Sequence, residues 1–130
     1  MCPVQAVNPA NRHEPGDDPA EGLSIAVERH GDALVVRVSG ELDLLTTPRL
    51  DRAAERALRG RPPVLVLDLT NVTFLGSAGM ASLVAVRRAA GDEVAIRLAT
   101  ANPVVLRALE VVGLAEEFPL YATCEEALAG

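Results

Sequence analysis

The stretch Val64-Leu65-Val66-Leu67-Asp68-Leu69 is apolar at every position except Asp68. It lacks the in-out alternation of a strand with one wet face. A strand that is apolar on both faces has to be covered on both faces, so this one reads as a central strand of a sheet flanked by helices. The rest of the chain has to supply its neighbours and its cover.

Upstream, Leu23 to Val27 alternates and Gly31-Asp32 makes a turn. Ala33 to Ser39 follows as a second strand, so the pair reads as a hairpin. Gly40-Glu41-Leu42-Asp43 then reads as a loop. Thr47 can cap a helix with Pro48 in its first position, running to about Arg59. That helix gathers Leu50, Ala53, Ala54, Ala57 and Leu58 on one face, and Gly60 with Pro62-Pro63 ends it.

Downstream of the central strand, Ser77 to about Ala90 reads as a helix stopped by Gly91, and Glu93 to Leu98 as a strand. Asn102-Pro103 opens a third helix carrying Val104, Val105, Leu106, Leu109 and Val112. Gly113 supplies its left-handed end. A short edge strand is expected near Phe118 to Tyr121. Thr123 and Glu126 form a capping box for a short last helix to Ala129. The order β-β-α-β-α-β-α-β-α implies an α/β sheet. Residues 1–22 are polar, include Pro3, Pro9, Pro15 and Pro19, and show no periodicity. They read as a disordered tail, with a single folded domain over 23–130.

Composition narrows the function. The only aromatic residues are Phe74, Phe118 and Tyr121, so the core must be aliphatic. The net charge is -6 and every cation is an arginine, with no basic stripe, which argues against nucleic acid as a partner. No apolar run approaches the roughly 20 residues that span a bilayer, and no signal peptide is evident, so no membrane partner is expected and the cytoplasm is the expected location. Cys2 and Cys124 are not in a CxxC arrangement and read as two reduced thiols. The two histidines, His13 and His30, have no nucleophile beside them in sequence. No GxGxxG or phosphate-cradling loop is present, and Glu41, Asp43 and Asp68 are scattered. No catalytic residue, cofactor or metal ligand is assigned, and the chain is not expected to be an enzyme.

One segment remains, Asp68-Leu69-Thr70-Asn71-Val72-Thr73-Phe74-Leu75-Gly76-Ser77-Ala78-Gly79-Met80. A buried strand ends, a turn follows, and small residues open a helix with Ser77 at or beside its N-cap. Serine is a favoured cap worth about 1 kcal/mol, which accounts for Ser77 alone. The run Gly76-Ser77-Ala78-Gly79 is poor helix material and lets another backbone approach closely.

Gly40-Glu41-Leu42-Asp43, then Asp68-Leu69-Thr70, then Val72 through Met80, in that order and at these separations, resemble the STAS family, and within it bacterial anti-sigma factor antagonists. Asn102-Pro103 with Leu106, Leu109 and Val112-Gly113-Leu114 resembles the third helix of the family. The likeness covers about Leu23 to Ala129.

The resemblance implies a mixed sheet of four or five strands with about four helices packed mainly on one face. It also implies phosphorylation of Ser77 by a partner kinase that is itself the anti-sigma factor, and resetting by a phosphatase. Partner contacts are implied at Asp43, Gly76, Ser77, Ala78, Gly79 and Met80. Two features depart from the common pattern: Gly76 stands where many members carry an acid, and Ala78 where many carry a second hydroxyl. The alternative is an interaction module of another assembly, a lipid-transport ATPase partner or a stress-signalling complex, in which Ser77 is only a cap.

Overall fold

The computed structural model describes residues 22–130. The expectations for the tail, Cys2 and His13 lie outside them. Strands β1 (Leu23–His30) and β2 (Ala33–Leu42) form the antiparallel hairpin, turning at Gly31, whose φ of 63° is the left-handed conformation glycine adopts without cost. Helix α1 (Thr47–Arg59), strand β3 (Val64–Leu75), helix α2 (Ser77–Ala90), strand β4 (Ala95–Ala99), helix α3 (Pro103–Val111), a 3-10 turn (Leu114–Glu116), strand β5 (Leu120–Tyr121) and helix α4 (Cys124–Ala129) follow. The five strands lie in sequence order. β2, β3, β4 and β5 run parallel, and only β1 is antiparallel to its neighbour.

Strand alternation splits the core in two. Val36, Val38, Leu65, Leu67, Leu69 and Leu98 point to one face, where they pack with Leu50, Ala54 and Ala57 of α1, Leu83 and Val86 of α2, and Val105 and Leu109 of α3. Val35, Val66 and Ala99 point to the other face, which α4 covers with Cys124 and Ala127. Leu65 through Leu67 is therefore buried on both sides, with Val64 half-buried at the strand's start, as the composition requires.

The central strand is longer than its hydrophobic pattern predicts. It continues past Leu69 to Leu75, and β2 continues through Leu42, so Gly40-Glu41-Leu42 is strand and not loop. Two register shifts explain the mismatch, one between Arg37 and Ser39 and one between Gly40 and Glu41. Each gives β3 an extra residue and reverses which side chains face the core. The core positions accordingly run Leu65, Leu67, Leu69, Val72, Leu75, a spacing that breaks a two-residue period.

Asp68 lies within this strand and does not end it. It is buried, with its Oδ2 paired to Arg37 Nη1, while its Oδ1 accepts from the Thr70 amide at 3.0 Å and the Thr70 hydroxyl at 2.6 Å. Arg37 also donates to Glu28 Oε2 at 2.8 Å, and His30 lies 3.0 Å from Glu28 Oε1. Burial raises the Glu28 carboxyl, but the hydrogen bonds from Arg37 and His30 outweigh it and hold it below the usual carboxylate range. Asp68→Ala is expected to cost about 2 kcal/mol in chemical denaturation. This is below the usual cost of breaking a buried pair, because the half-exposed Arg37 keeps water and Glu28. A loss under 0.5 kcal/mol would show that the pair contributes nothing net.

Helix starts divide into expected and unexpected. Asn102 accepts from the Val104 amide at 2.8 Å, and Thr123 from the Glu126 amide at 3.1 Å, both as read from sequence. Gly113 is left-handed, with φ 82°. The cap of α1 is Thr46, not Thr47. Thr46 spends its hydroxyl on the preceding loop, and Thr47 is the buried first residue of the helix.

Cys124 is buried in the second core cluster, with Val35, Val66 and Ala99. Burial, and then the Asp68 charge, push its thiol above the ordinary value. It is therefore expected to resist alkylation. With Cys2 replaced by serine, iodoacetamide at pH 8 should label the native protein about 100-fold more slowly than the urea-unfolded protein. Equal rates would mean that α4 does not shield it.

Candidate functional site

The parallel strands place the ends of β2 and β3 at one pole. There Leu42 and Leu75 are paired, and the chain leaves β3 for α2. The Gly76 amide donates to the Leu42 carbonyl at 2.9 Å, so the first residue before the helix is tied to the end of β2. Gly76 is the N-cap, at φ -88° and ψ -178°, a conformation open to any residue. A Cβ there would press on the Phe74 ring at 3.1 Å. Ser77 is the first helical residue and is exposed.

The glycine that the geometry demands is Gly79. A Cβ on it would lie 2.6 Å from Leu75 Cδ1, 3.0 Å from Leu42 Cβ and 3.3 Å from the Leu42 carbonyl oxygen. The backbone whose close approach the small-residue run allows is thus the end of β2. Gly79 is buried beneath the surface formed by Gly76, Ser77, Ala78 and Met80. Ala78 and Met80 are each partly exposed, and Met80 also packs on the core.

The start of α2 is polarised and open. No side chain caps it, and its first turn carries no acid. The Met80 amide is the first to close a helical bond, to Gly76 at 3.0 Å, which leaves the amides of Ser77, Ala78 and Gly79 without an intrahelical acceptor. These amides and the positive end of the helix dipole favour an anionic group at this end.

Asp43 lies in the loop between β2 and α1, on the same pole. Its Oδ1 accepts from the Leu45 and Thr46 amides, each at 3.0 Å, and its carbonyl accepts from the Thr47 amide at 3.0 Å. Its own amide donates to Thr46 Oγ1 at 2.9 Å, and that hydroxyl donates to the Glu41 carbonyl at 2.7 Å. Asp43 therefore locks the loop. The loop in turn presents Leu44 and Leu45 to solvent at 78% and 86% exposure, with Phe74 at 46% on the neighbouring strand. Sequence reasoning passed over the two leucines. The available signal was an apolar pair set between Asp43 and Thr46-Thr47, too few residues to be a core strand or helix. Thr73, another hydroxyl in the motif, is exposed, with its Oγ1 3.4 Å from the Gly40 carbonyl.

These features define an α/β domain with a hydroxyl-bearing helix start, and exposed apolar side chains at the same end, at the carboxyl pole of its parallel strands. Residues 24–127 match the STAS domain family, and the chain belongs to it. It is 32% identical over 110 residues to the anti-sigma-F factor antagonist RsfB of Mycobacterium tuberculosis, covering 85% of this chain and 90% of that one. It is 33% identical over 103 residues to an anti-sigma F factor antagonist of Paenibacillus polymyxa, covering 76% and 86%. The crystal structure of an anti-sigma factor antagonist from Mycobacterium paratuberculosis superposes with a TM-score of 0.80 at 38% identity, covering 84% of this chain and 93% of that one. Among the described residues, no helix is long and apolar enough to cross a membrane.

Proposed function

We propose that this chain is a cytoplasmic anti-sigma factor antagonist, a binding regulator and not an enzyme. In this reading its unphosphorylated pole docks on an anti-sigma factor serine kinase through Asp43, Gly76, Ser77, Ala78, Gly79 and Met80, and so frees a sigma factor. The kinase transfers the γ-phosphoryl group of ATP to the Ser77 hydroxyl and ends the interaction, and a phosphatase restores it. Two of the relatives are named as anti-sigma-F factor antagonists, which supports the partner class. The observation that carries the site is Ser77 itself, an exposed hydroxyl on the uncapped first turn of α2.

A phosphate adds about -1.5 to -2 charge and three acceptor oxygens. The free amides of Ser77, Ala78 and Gly79 can hold it, so the fold has no reason to reject it. A partner surface packed against Leu44, Leu45, Phe74 and Met80 does have a reason, because closing over the phosphate would strip its water. The switch then acts at the interface and not through the core. Glycine at position 76 in place of an acid removes a like charge from beside the phosphate, which favours the modified state.

The test is displacement. Added to a complex of the sigma factor and its anti-sigma factor, the unphosphorylated chain should release the sigma factor, and the Ser77-phosphorylated chain should not. Release by both forms would leave Ser77 without a switching role and favour a module of another assembly.

A further inference from the structure

We infer that Leu44 and Leu45 are a preformed apolar anchor that fits a depression on the anti-sigma factor, apolar at its floor and cationic at its rim. The inference rests on the reading of the Ser77 pole given above.

Among the described residues, the large apolar side chains left in water fall in three places: Val27 on the edge strand, Val104, Val111 and Val112 along α3 and just beyond its end, and Leu44, Leu45 and Phe74 at the Ser77 pole. Leu44 and Leu45 are the most exposed of all. Their loop is not a slack one. Asp43 Oδ1 holds two of its amides, Thr46 Oγ1 holds the Asp43 amide, and the Thr47 amide closes on the Asp43 carbonyl. A loop whose backbone is already fixed loses little further backbone freedom on docking. Asp43 and Thr46 thus orient the loop, while the leucines supply the contact.

The loop also leaves the strand end that is tied to the start of α2. Leu42, two residues before Leu44, accepts from the Gly76 amide and packs beneath the position where Gly79 would carry a Cβ. An anti-sigma factor seated on Ser77 therefore meets a surface to which the leucines are rigidly joined.

Charge selects the occupant. Residues 38–48 hold two acids, Glu41 and Asp43, and no cation, and residues 70–82 hold no charged residue. A second copy docking through this pole would bring four carboxylates together. A partner with arginine or lysine around an apolar depression would complement it.

The test uses the full chain and the anti-sigma factor that phosphorylates it. The double substitution Leu44→Ser, Leu45→Ser should weaken binding by about 100-fold, the size expected when two central apolar anchors are removed. Leu44→Met, Leu45→Met should restore most of it. The serine variant should also be phosphorylated with a raised KM and little change in kcat. Because both side chains are exposed, thermal unfolding should not move. If the serine variant binds like wild type while Ser77→Asp does not bind, the anchor is wrong and the Ser77 reading stands. If Ser77→Asp and the serine variant both bind like wild type, the Ser77 reading and the anchor fall together. If the serine variant loses only self-association, measured by analytical ultracentrifugation, the occupant is a second copy and the inference is overturned.

Discussion

Ser77→Asp is expected to lower affinity for the anti-sigma factor by at least about 100-fold, while Ser77→Ala keeps it within a few-fold of wild type. The reason is the cost of taking a charge out of water. Aspartate on the first turn of α2 is well placed in the free protein, where the open amides and the helix dipole favour it by about 0.3–1 kcal/mol. The same carboxylate under a docked apolar surface loses its water without gaining an equivalent partner, at a cost of several kcal/mol. The free form is helped and the complex is penalised, and both effects weaken binding. Alanine removes only a hydroxyl that caps nothing here, since no side-chain cap bond is made at this helix start. Titration calorimetry of the three forms decides the matter. Hydrogen exchange across β2, β3 and β4 should be the same in all of them. If Ser77→Asp instead loosened the core strands, the switch would lie in the fold.

Gly40→Ala is expected to destabilise the domain by about 3 kcal/mol, lowering Tm by roughly 15 °C for a domain of this size. Gly40 has φ 115°, outside the range that residues with a Cβ adopt readily. It also sits at the second register shift between β2 and β3. A Cβ there would lie 2.1 Å from the Gly22 carbonyl oxygen and 3.2 Å from Leu23 Cα, both backbone atoms that no rotamer change can move. The clash could be relieved by lifting the start of β1, which would break the 3.1 Å bond from the Glu41 amide to Gly22 and expose the fully buried Leu23. Faster exchange at Glu41 should therefore accompany the loss of stability. A variant within 1 kcal/mol of wild type would mean that the start of β1 is not seated as described.

Much of the architecture was legible because its punctuation is local. Gly31, Pro48, Gly91, Asn102-Pro103, Gly113 and the Thr123–Glu126 box each mark an element end, and each lies at or within a residue of one. Helix α2 was legible from Ser77 to Ala90. The extent of β2 and β3 was not, because two bulges reverse the facing of the residues between Asp68 and Leu75, and period-two reasoning stops at the first of them. The pairing of Glu28, Arg37 and Asp68 depends on three strands lying in one register, which no sequence spacing encodes. At the site, the serine and its glycines could be read from the motif. That Gly79 serves Leu42, and that Asp43 holds up two bare leucines, follows only from bringing the end of β2 against the start of α2.

The central claim is that one hydroxyl, Ser77, carries the switch. The most direct measurement is intact mass after incubation of the purified chain with ATP and each candidate anti-sigma factor. One phosphate on wild type, mapped to Ser77 and absent from Ser77→Ala, is the predicted result. No phosphate with any candidate, or a phosphate that persists in Ser77→Ala, would contradict it.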